Sequence, residues 1–311
     1  MDQPTAHEPA YHVPVMVSEV VEWFAPASSG WIVDATFGGG GHSRALLDEY
    51  PDLRVVGIDR DPDALAQAAD HDRLRLVSAN YRDLPSILGT RGLPDRVDGI
   101  LLDLGVSSHQ LDDPERGFSY HRAGPLDMRM GTDVDITAGQ LVNTASAGEL
   151  EQIISRYGEE RFARRIADAI VSERPFGDTT SLAGCVAEAV PAPARRSGHP
   201  ARKTFQALRI AVNDELSGVE AVMGTVFDCL TVGGRVVVMA YHSLEDRIVK
   251  RAMKERARGC VCPPDLPICV CGSQPDVRVL TRKAVRPSQD EIERNPRARS
   301  AVLRVAEKVA P

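Results

Sequence analysis

Three carboxylates in the first third of the chain stand directly after short apolar runs. They are Asp34, Asp59 and Asp103, and each run is typical of a buried strand. Helical patterns separate the runs, which predicts a doubly wound parallel sheet of the α/β class. The carboxyl ends of parallel strands meet at one edge of such a sheet, and ligands bind beyond that edge. We therefore expect the three carboxylates, together with Tyr81 after the third strand, to line one site.

A run of four glycines, 38–41, follows the first strand and precedes a helix predicted to open at Ser43. Glycines allow a sharp turn and let a ligand lie against the main chain, and the N–H groups of a helix N-terminus favour an anionic group. The dinucleotide pattern G-x-G-x-x-G fits in neither register, because Ser43 or Arg44 occupies its last position. Asp59 lies 19 residues after Gly40, where an acid can hold the hydroxyls of a ribose. Ribose binding without a pyrophosphate cradle indicates S-adenosylmethionine, and an ordinary structural turn is the alternative.

The composition is that of a globular protein. The chain has 311 residues, enough for one large domain or two smaller ones, with 43% hydrophobic and 26% charged residues. The sequence has no apolar stretch long enough to span a bilayer, and its first residues lack the basic and apolar regions of a signal peptide. We expect a cytoplasmic protein whose residues 1–10 form a disordered leader.

The net charge of −7 is unevenly distributed along the sequence. Residues 1–150 carry 11 basic and 24 acidic side chains, whereas residues 251–311 carry 13 basic and 7 acidic ones. The basic C-terminal block is compatible with binding of nucleic-acid phosphates and equally with solvated surface. Further candidate phosphate contacts in a basic, apolar-poor stretch are Arg195, Arg196, Arg202 and Lys203.

The middle of the chain predicts a small helical domain inserted into the sheet domain. Ser146 begins a capping box, Thr180 is suited to cap a second helix, and an apolar stripe over 205–226 predicts one long helix. The predicted boundaries are 1–10 for the leader, 11–136 and 206–311 for the sheet domain, and 137–205 for the inserted helical domain, which is expected to recognise the substrate.

The sheet is predicted to resume after the insertion. An apolar strand over 233–240 ends in Tyr241 and His242, and two final strands are predicted over 277–280 and 300–305. A histidine in such a position is more often structural than catalytic. Because His242 follows the carboxyl end of a strand, it is nevertheless a candidate catalytic residue.

Four of the six cysteines form two Cys-x-Cys pairs separated by six residues: Cys260, Cys262, Cys269 and Cys271. Four thiolates could bind a structural zinc ion tetrahedrally. Structural zinc sites usually contain Cys-x-x-Cys, so zinc and free thiols remain alternatives, whereas a reducing cytosol disfavours disulfides. Cys185 and Cys229 lie in apolar helical patterns and are predicted to be in the core.

Nine sequence motifs extend over most of the chain, between about His12 and Val305. They comprise residues 34–43, 59–62, 101–110, 116–119, 126–130, 157–161, 204–210, 242–250 and 295–297. Together they resemble the bacterial 16S ribosomal RNA cytosine-N4 methyltransferases of the RsmH/MraW type. The resemblance implies a class I, Rossmann-like methyltransferase sheet with an inserted helical domain. It also implies methylation of the exocyclic amine of one cytidine in the decoding region of the small ribosomal subunit.

The resemblance further implies the contacts to S-adenosylmethionine. Carried over position by position, they are Gly40, Gly41, His42, Asp59, Tyr81, Asp103 and Gln110. Three positions depart from the family's pattern, because Tyr81 and Tyr241 stand where phenylalanine is frequent and His109 stands where proline is common. None of these departures removes a charged group, so the implied chemistry is retained.

Methylation of a cytosine amine sets specific chemical demands. The nitrogen lone pair is delocalised into the ring, so the enzyme must align the nitrogen with the methyl–sulfur bond and accept a hydrogen bond from its N–H. The Pro-Pro-aromatic motif that often follows the catalytic Asp or Asn in amino-methyltransferases is absent, since Leu104 and Gly105 follow Asp103. Asp103 is the predicted hydrogen-bond acceptor, and His242 is the second candidate for hydrogen bonding or proton removal.

The expected partner is 16S rRNA in the small ribosomal subunit, with the target base unstacked to enter the site. Two alternatives remain open. One is another nucleic-acid amino-methyltransferase, which a comparison of RNA and DNA substrates would distinguish. The other is a non-catalytic ribosome-assembly factor that retains a cofactor pocket, for which binding without methyl transfer would be diagnostic.

Overall fold

The computed structural model describes residues 14–90, 92–259, 262, 268, 271 and 274–310. The predicted leader, 1–10, lies outside them. The chain divides into two compact units, one formed by Met1–Gly105 with Leu216–Pro311 and the other by Val106–Glu215. Among the described residues, no helix has both the length and the apolar character needed to cross a membrane.

Seven strands and thirteen α-helices make up the described regular structure, beside short 3₁₀ helices. The strands are β1 Trp31–Asp34, β2 Arg54–Asp59, β3 Leu74–Ser78, β4 Val97–Asp103, β5 Leu230–Ala240, β6 Val277–Val279 and β7 Val302–Lys308. The helices are α1 Val17–Phe24, α2 Gly41–Glu49, α3 Pro62–Ala66, α4 Leu84–Ile87, α5 Ser108–Asp112, α6 Ala138–Thr144, α7 Ala147–Gly158, α8 Ala163–Glu173, α9 Thr179–Ala189, α10 Arg202–Asn213, α11 Glu215–Thr225, α12 Ser243–Arg258 and α13 Gln289–Arg294.

All seven strands form one sheet in the first unit, in the order β3-β2-β1-β4-β5-β7-β6. Strands β1 to β5 are parallel to one another, as predicted, whereas β7 runs antiparallel to β5 and β6 antiparallel to β7. The sheet is therefore mixed: among the described strands β7 alone runs against the others, since β6 points the same way as β1 to β5, and the expectation of a parallel sheet was wrong for β7 only. Periodicity reports burial and not strand direction, which explains the error.

Two separate apolar cores cover the two faces of this sheet. One face packs against α4, α11 and α12, and the other packs against α1 and α2. Gly57 of β2 allows the Phe37 ring to pack directly on the strand, since a Cβ there would lie 2.3 Å from ring atom Cδ2. This three-layered arrangement confirms the expected Rossmann-like α/β class.

The second unit has its own core, built from helices α6 to α10 and from the segment before them. Phe118, Leu126, Met128 and Met130 of that segment are buried in it. The described second unit thus begins before, and ends after, the insertion predicted at 137–205. Isolated apolar residues in a polar, turn-rich stretch gave no periodic signal for this packing.

Three local features of the helices differ in their agreement with the sequence pattern. The capping box at Ser146 is confirmed, because Ser146 Oγ accepts the Glu149 N–H while Glu149 accepts the Ser146 N–H. Helix α9, which Thr180 was predicted to cap, is capped by Asp178 instead. The long helix predicted over 205–226 is two helices, because Asp214 adopts a left-handed conformation with φ of 49° between α10 and α11.

Candidate active site

Asp34 ends β1 at the carboxyl edge of the sheet and is buried. Its Oδ2 accepts a hydrogen bond of 2.7 Å from the Ser43 hydroxyl, and its Oδ1 has no hydrogen-bond partner among the described residues. Burial raises the pKa of Asp34, although the nearby His42 and the Ser43 hydroxyl act in the opposite direction. A buried carboxylate of this kind gains from a cationic or hydrogen-bond-donating ligand group.

The glycine turn joins β1 to α2, which starts at Gly41, before the predicted Ser43. Gly38 and Gly40 adopt left-handed conformations with φ of 53° and 72°. A Cβ at Gly40 would lie 2.5 Å from Phe37 Cζ, so only glycine fits there without displacing the ring. The resemblance-implied contacts Gly40, Gly41 and His42 therefore all lie at the junction of this turn with α2.

Asp59 ends β2 beside the same turn. Its Oδ2 accepts the Gly38 N–H at 2.7 Å, and its Oδ1 accepts the Asp61 N–H at 2.9 Å. Burial raises the pKa of Asp59, partly offset by these two hydrogen bonds. A carboxylate has about four acceptor positions, and main-chain N–H groups of Asp61, Gly38 and Arg60 use three of them, which leaves capacity for a ligand hydroxyl.

Tyr81 follows β3 in a short 3₁₀ helix, Tyr81–Asp83, capped by Asn80, whose side chain accepts the Arg82 N–H at 3.2 Å. The Tyr81 ring is half-buried against the core of the first unit. A Cβ on Gly218 of α11 would lie 3.0 Å from the Tyr81 hydroxyl, so the hydroxyl end of the ring lies against that helix. Its predicted stacking on adenine remains a prediction.

Asp103 ends β4, and residues from three elements surround it. Its N–H donates to Thr36 Oγ1 at 2.6 Å, and its Oδ1 accepts a hydrogen bond of 2.8 Å from the Tyr241 hydroxyl. His42 Nδ1 lies 3.8 Å from Asp103 Oδ2, while His42 Nε2 donates to the Val15 carbonyl at 2.8 Å. The sequence pointed to Asp103 and His42, but it gave no signal for the Tyr241 hydrogen bond, which joins residues 138 positions apart.

His242 is the N-cap residue of α12. Its Nδ1 accepts the Glu245 N–H at 3.4 Å, and its Nε2 lies 3.0 Å from Glu245 Oε1. Glu245 is 1% exposed, and its Oε2 accepts the N–H groups of Tyr241 at 2.9 Å and His242 at 3.3 Å. Both ring nitrogens of His242 thus face groups of the helix cap, whereas its predicted catalytic role remains a prediction.

The remaining predicted contacts lie in the second unit. Gln110 is buried and forms a capping box with Ser107 at the start of α5. Arg195 and Arg196 lie in the 3₁₀ helix Ala192–Ser197, and Arg195 Nε donates to the Val190 carbonyl at 2.8 Å. Arg202 and Lys203 line a cavity of about 390 Å³.

The cysteine prediction falls largely on residues outside the described ones. Cys260 and Cys269 belong to that part of the chain, while Cys262 and Cys271 are described as half-buried. Cys185 and Cys229 are buried in apolar cores, as predicted, and burial raises the pKa of their thiols to about 12 and about 11.

Comparison with known proteins identifies the family. The sequence profile of the MraW methylase family matches residues 9–309. The chain belongs to this family. A member from Heliobacterium modesticaldum, called ribosomal RNA small subunit methyltransferase H, is 48% identical over 309 residues, covering 96% of this chain and 99% of its own. Proteins of the same name from Carboxydothermus hydrogenoformans and Frankia alni are each 49% identical, and cover 96% of this chain with 98% and 96% of their own.

Membership of the MraW methylase family makes the protein a methyltransferase and accounts for the glycine turn and the three carboxylates at the sheet edge. The glycine turn and three strand-end carboxylates lie where ligands bind in open α/β sheets. Among solved structures, a putative rRNA methylase from Clostridium thermocellum covers 96% of this chain and 99% of its own, with 11% identity and a TM-score of 0.42.

Proposed function

We propose that the protein transfers a methyl group from S-adenosylmethionine to the N4 amine of a cytidine in the decoding region of 16S rRNA, within the small ribosomal subunit. The names of its relatives support ribosomal RNA as the substrate. The observation that carries the proposal is the set of strand-end carboxylates Asp34, Asp59 and Asp103 around a glycine turn in a member of a methylase family. A ribosomal substrate also supports a cytoplasmic location.

The residues at the sheet edge fit S-adenosylmethionine. Asp59 retains acceptor capacity for a ribose hydroxyl, and the buried Asp34 Oδ1 offers an acceptor to a cationic group. The glycine turn lets a ligand approach the main chain closely. When bound, the cofactor supplies an electrophilic methyl group on a sulfonium. Gln110 in the second unit, and Tyr81 in the first, remain proposed contacts.

Asp103 is proposed to act on the cytosine amine. Its carboxylate can accept a hydrogen bond from the exocyclic N–H, which localises the nitrogen lone pair as the new bond forms. The amine loses a proton on methylation, and Asp103 or, as predicted from sequence, His242 would receive it directly or through water. Alignment of nitrogen with the methyl group supplies the remaining acceleration.

The base must leave its stack to reach such a site, and cations must hold the flanking phosphates. Six cations in the segment between β6 and β7 are exposed: Arg282, Lys283, Arg286, Arg294, Arg297 and Arg299. Their clustering supports a phosphate-binding surface on the first unit. In the second unit, Arg202 is exposed, whereas Lys203 Nζ donates to the Glu159 carbonyl at 2.8 Å.

The decisive experiment measures transfer of labelled methyl to 30S subunits, to naked 16S RNA and to DNA, followed by nucleoside analysis. We expect N4-methylcytidine from an RNA substrate. In Asp103→Asn, transfer should fall by about 100-fold or more, because general acid–base and orienting contacts contribute on that scale. Asp52→Asn is the matched control and should match the parent, because the exposed Asp52 lies before β2, at the opposite end of that strand from Asp59. Label in DNA would favour another amino-methyltransferase, and cofactor binding without label in any substrate would favour an assembly factor.

We also propose that Cys260, Cys262, Cys269 and Cys271 bind one structural zinc ion, which their paired spacing supports. Metal analysis of protein purified without chelators should then give one zinc per chain. Serine substitution of any two of the four should abolish it. Four thiols that titrate fully in the native parent protein, with no zinc present, would instead establish the alternative of free cysteines.

A further inference from the structure

Tyr241 links the end of β5 to the carboxylate at the end of β4. Its hydroxyl donates to Asp103 Oδ1 at 2.8 Å, and its own N–H donates to Glu245 Oε2 at 2.9 Å. The ring lies over Gly105, where a Cβ would be 3.5 Å from ring atom Cδ2. The main chain and the ring of Tyr241 are therefore both held in place, while the hydroxyl contacts the Asp103 carboxylate.

The hydroxyl of Tyr241 is a constant donor. Burial, followed by the negative charge of Asp103, raises the pKa of Tyr241 well above its usual value, and Glu245 and Glu291 act in the same direction. The phenol is consequently protonated at neutral pH and available as a hydrogen-bond donor. A hydrogen bond from a neutral donor to an ionised carboxylate is among the stronger hydrogen bonds in proteins.

The opposite side of the Asp103 carboxylate faces His42. His42 Nδ1 lies 3.8 Å from Asp103 Oδ2. The other ring nitrogen, Nε2, donates to the Val15 carbonyl and so fixes the orientation of the imidazole. The Asp103 carboxylate thus accepts a hydrogen bond from a phenol after β5 and has an imidazole on α2 beside its other oxygen. Rotation about the Asp103 side chain would break the 2.8 Å hydrogen bond to Tyr241.

We propose that Tyr241 is a positioning residue for methyl transfer, whose hydroxyl fixes the orientation of the Asp103 carboxylate toward its ligands. This inference rests on the proposed function, in which Asp103 contacts the substrate amine or the cofactor. A purely structural tyrosine would contribute through its ring alone. Removal of the hydroxyl, with the ring retained, therefore separates the two roles.

The test compares Tyr241→Phe with Tyr50→Phe. Tyr50 is the matched control, because its hydroxyl donates to the Val21 carbonyl at 2.8 Å in the same unit and it lies at the end of α2 opposite to the glycine turn. In Tyr241→Phe we expect kcat to fall by about tenfold with an unchanged KM for RNA, since a hydrogen bond to a charged group is lost. The acid limb of the rate profile should move up by about one pH unit, because the ionised form of Asp103 loses a stabilising donor. Tyr50→Phe should change neither quantity.

A double-mutant cycle decides whether Tyr241 acts through Asp103. In the Asp103→Asn background, Tyr241→Phe should lower kcat by less than about twofold, because the coupled partner is already altered. An equal loss in both backgrounds, or an unchanged kcat in the single variant, would overturn the proposal.

Binding of S-adenosylhomocysteine, measured by calorimetry across the acid range, keeps this inference separate from the proposed function. If the parent protein methylates no substrate, the proposed function fails, but the binding curve still tests Tyr241. We expect the acid limb of binding to shift upward in Tyr241→Phe and to stay in place in Tyr50→Phe. Identical curves for the parent and both variants would refute the positioning role.

Discussion

Replacement of His242 by asparagine or alanine separates capping of α12 from proton transfer. Asparagine is among the best N-cap residues, and its Oδ1 is separated from the main chain by as many bonds as His242 Nδ1. It can therefore accept the Glu245 N–H as the histidine does. It has no group that titrates near neutral pH and cannot act as a general base.

The expected loss of stability follows from the contacts. In His242→Ala, loss of the cap costs about 1 kcal/mol, and removal of the ring 3.0 Å from the 1% exposed Glu245 costs roughly 1–3 kcal/mol more. The free energy of unfolding should then fall by about 2–4 kcal/mol. His242→Asn should recover about 1 kcal/mol of this loss through its cap.

Methyl-transfer rates of both variants, with urea unfolding of each, provide the assay. If capping is the role of His242, the asparagine variant should retain activity to within about an order of magnitude, whereas a lost general base costs roughly 10²–10⁴-fold. His71→Asn is the matched control, because the exposed His71 also accepts a main-chain N–H, from Arg73, through Nδ1. A stable asparagine variant with activity reduced by about 100-fold would refute the capping explanation and support the catalytic prediction.

Three further predictions concern the glycine turn, the buried carboxylate and the second unit. Gly40→Ala should abolish cofactor binding in a calorimetric titration, because its Cβ would collide with Phe37. The control Gly148→Ala has open space around the new Cβ and should raise the free energy of unfolding by about 0.5–1 kcal/mol. Normal cofactor binding by Gly40→Ala would contradict the expected collision. Burial raises the pKa of Asp34 above 3.8, so the folded state retains a proton that the unfolded chain has released, and stability should be lost as pH rises from 3.8 through the raised value. Asp34→Asn should remove that part of the pH dependence in urea titrations, and equal slopes for variant and parent would count against it. Asn213→Ala removes three hydrogen bonds, all to main-chain groups, of residues 128, 130 and 209, and should lower the free energy of unfolding by about 3–5 kcal/mol. A loss below about 1 kcal/mol in the same titrations would show that these bonds are replaced.

The sequence predicts the site best where chemistry follows directly from strand order. Asp34, Asp59 and Asp103 end adjacent parallel strands, so apolar periodicity alone indicates that they share an edge. The capping box at Ser146 is likewise local, because its partner lies three residues away. Such features depend on spacing within a few residues or on the common direction of parallel strands.

Features that depend on tertiary contacts left no comparable signal. A single left-handed residue, Asp214, divides two helices without interrupting their apolar stripe. The antiparallel direction of β7 is set by the path of the chain and not by its composition. The hydrogen bond from Tyr241 to Asp103 requires the pairing of β4 with β5, and no pattern within either strand indicates it.

The pairing of β4 with β5 also affects how the protein folds during its synthesis. Strand β4 has left the ribosome long before its neighbour β5, because the whole second unit is translated between them. During that interval β4 is an open edge, with unpaired main-chain groups able to join other chains. The second unit, with an apolar core of its own, can fold meanwhile, whereas the sheet must wait for a contact distant in sequence, which slows folding. We expect nascent chains released before β5 to be the most aggregation-prone fragments of this protein, and a chaperone that shields β4 to increase its yield.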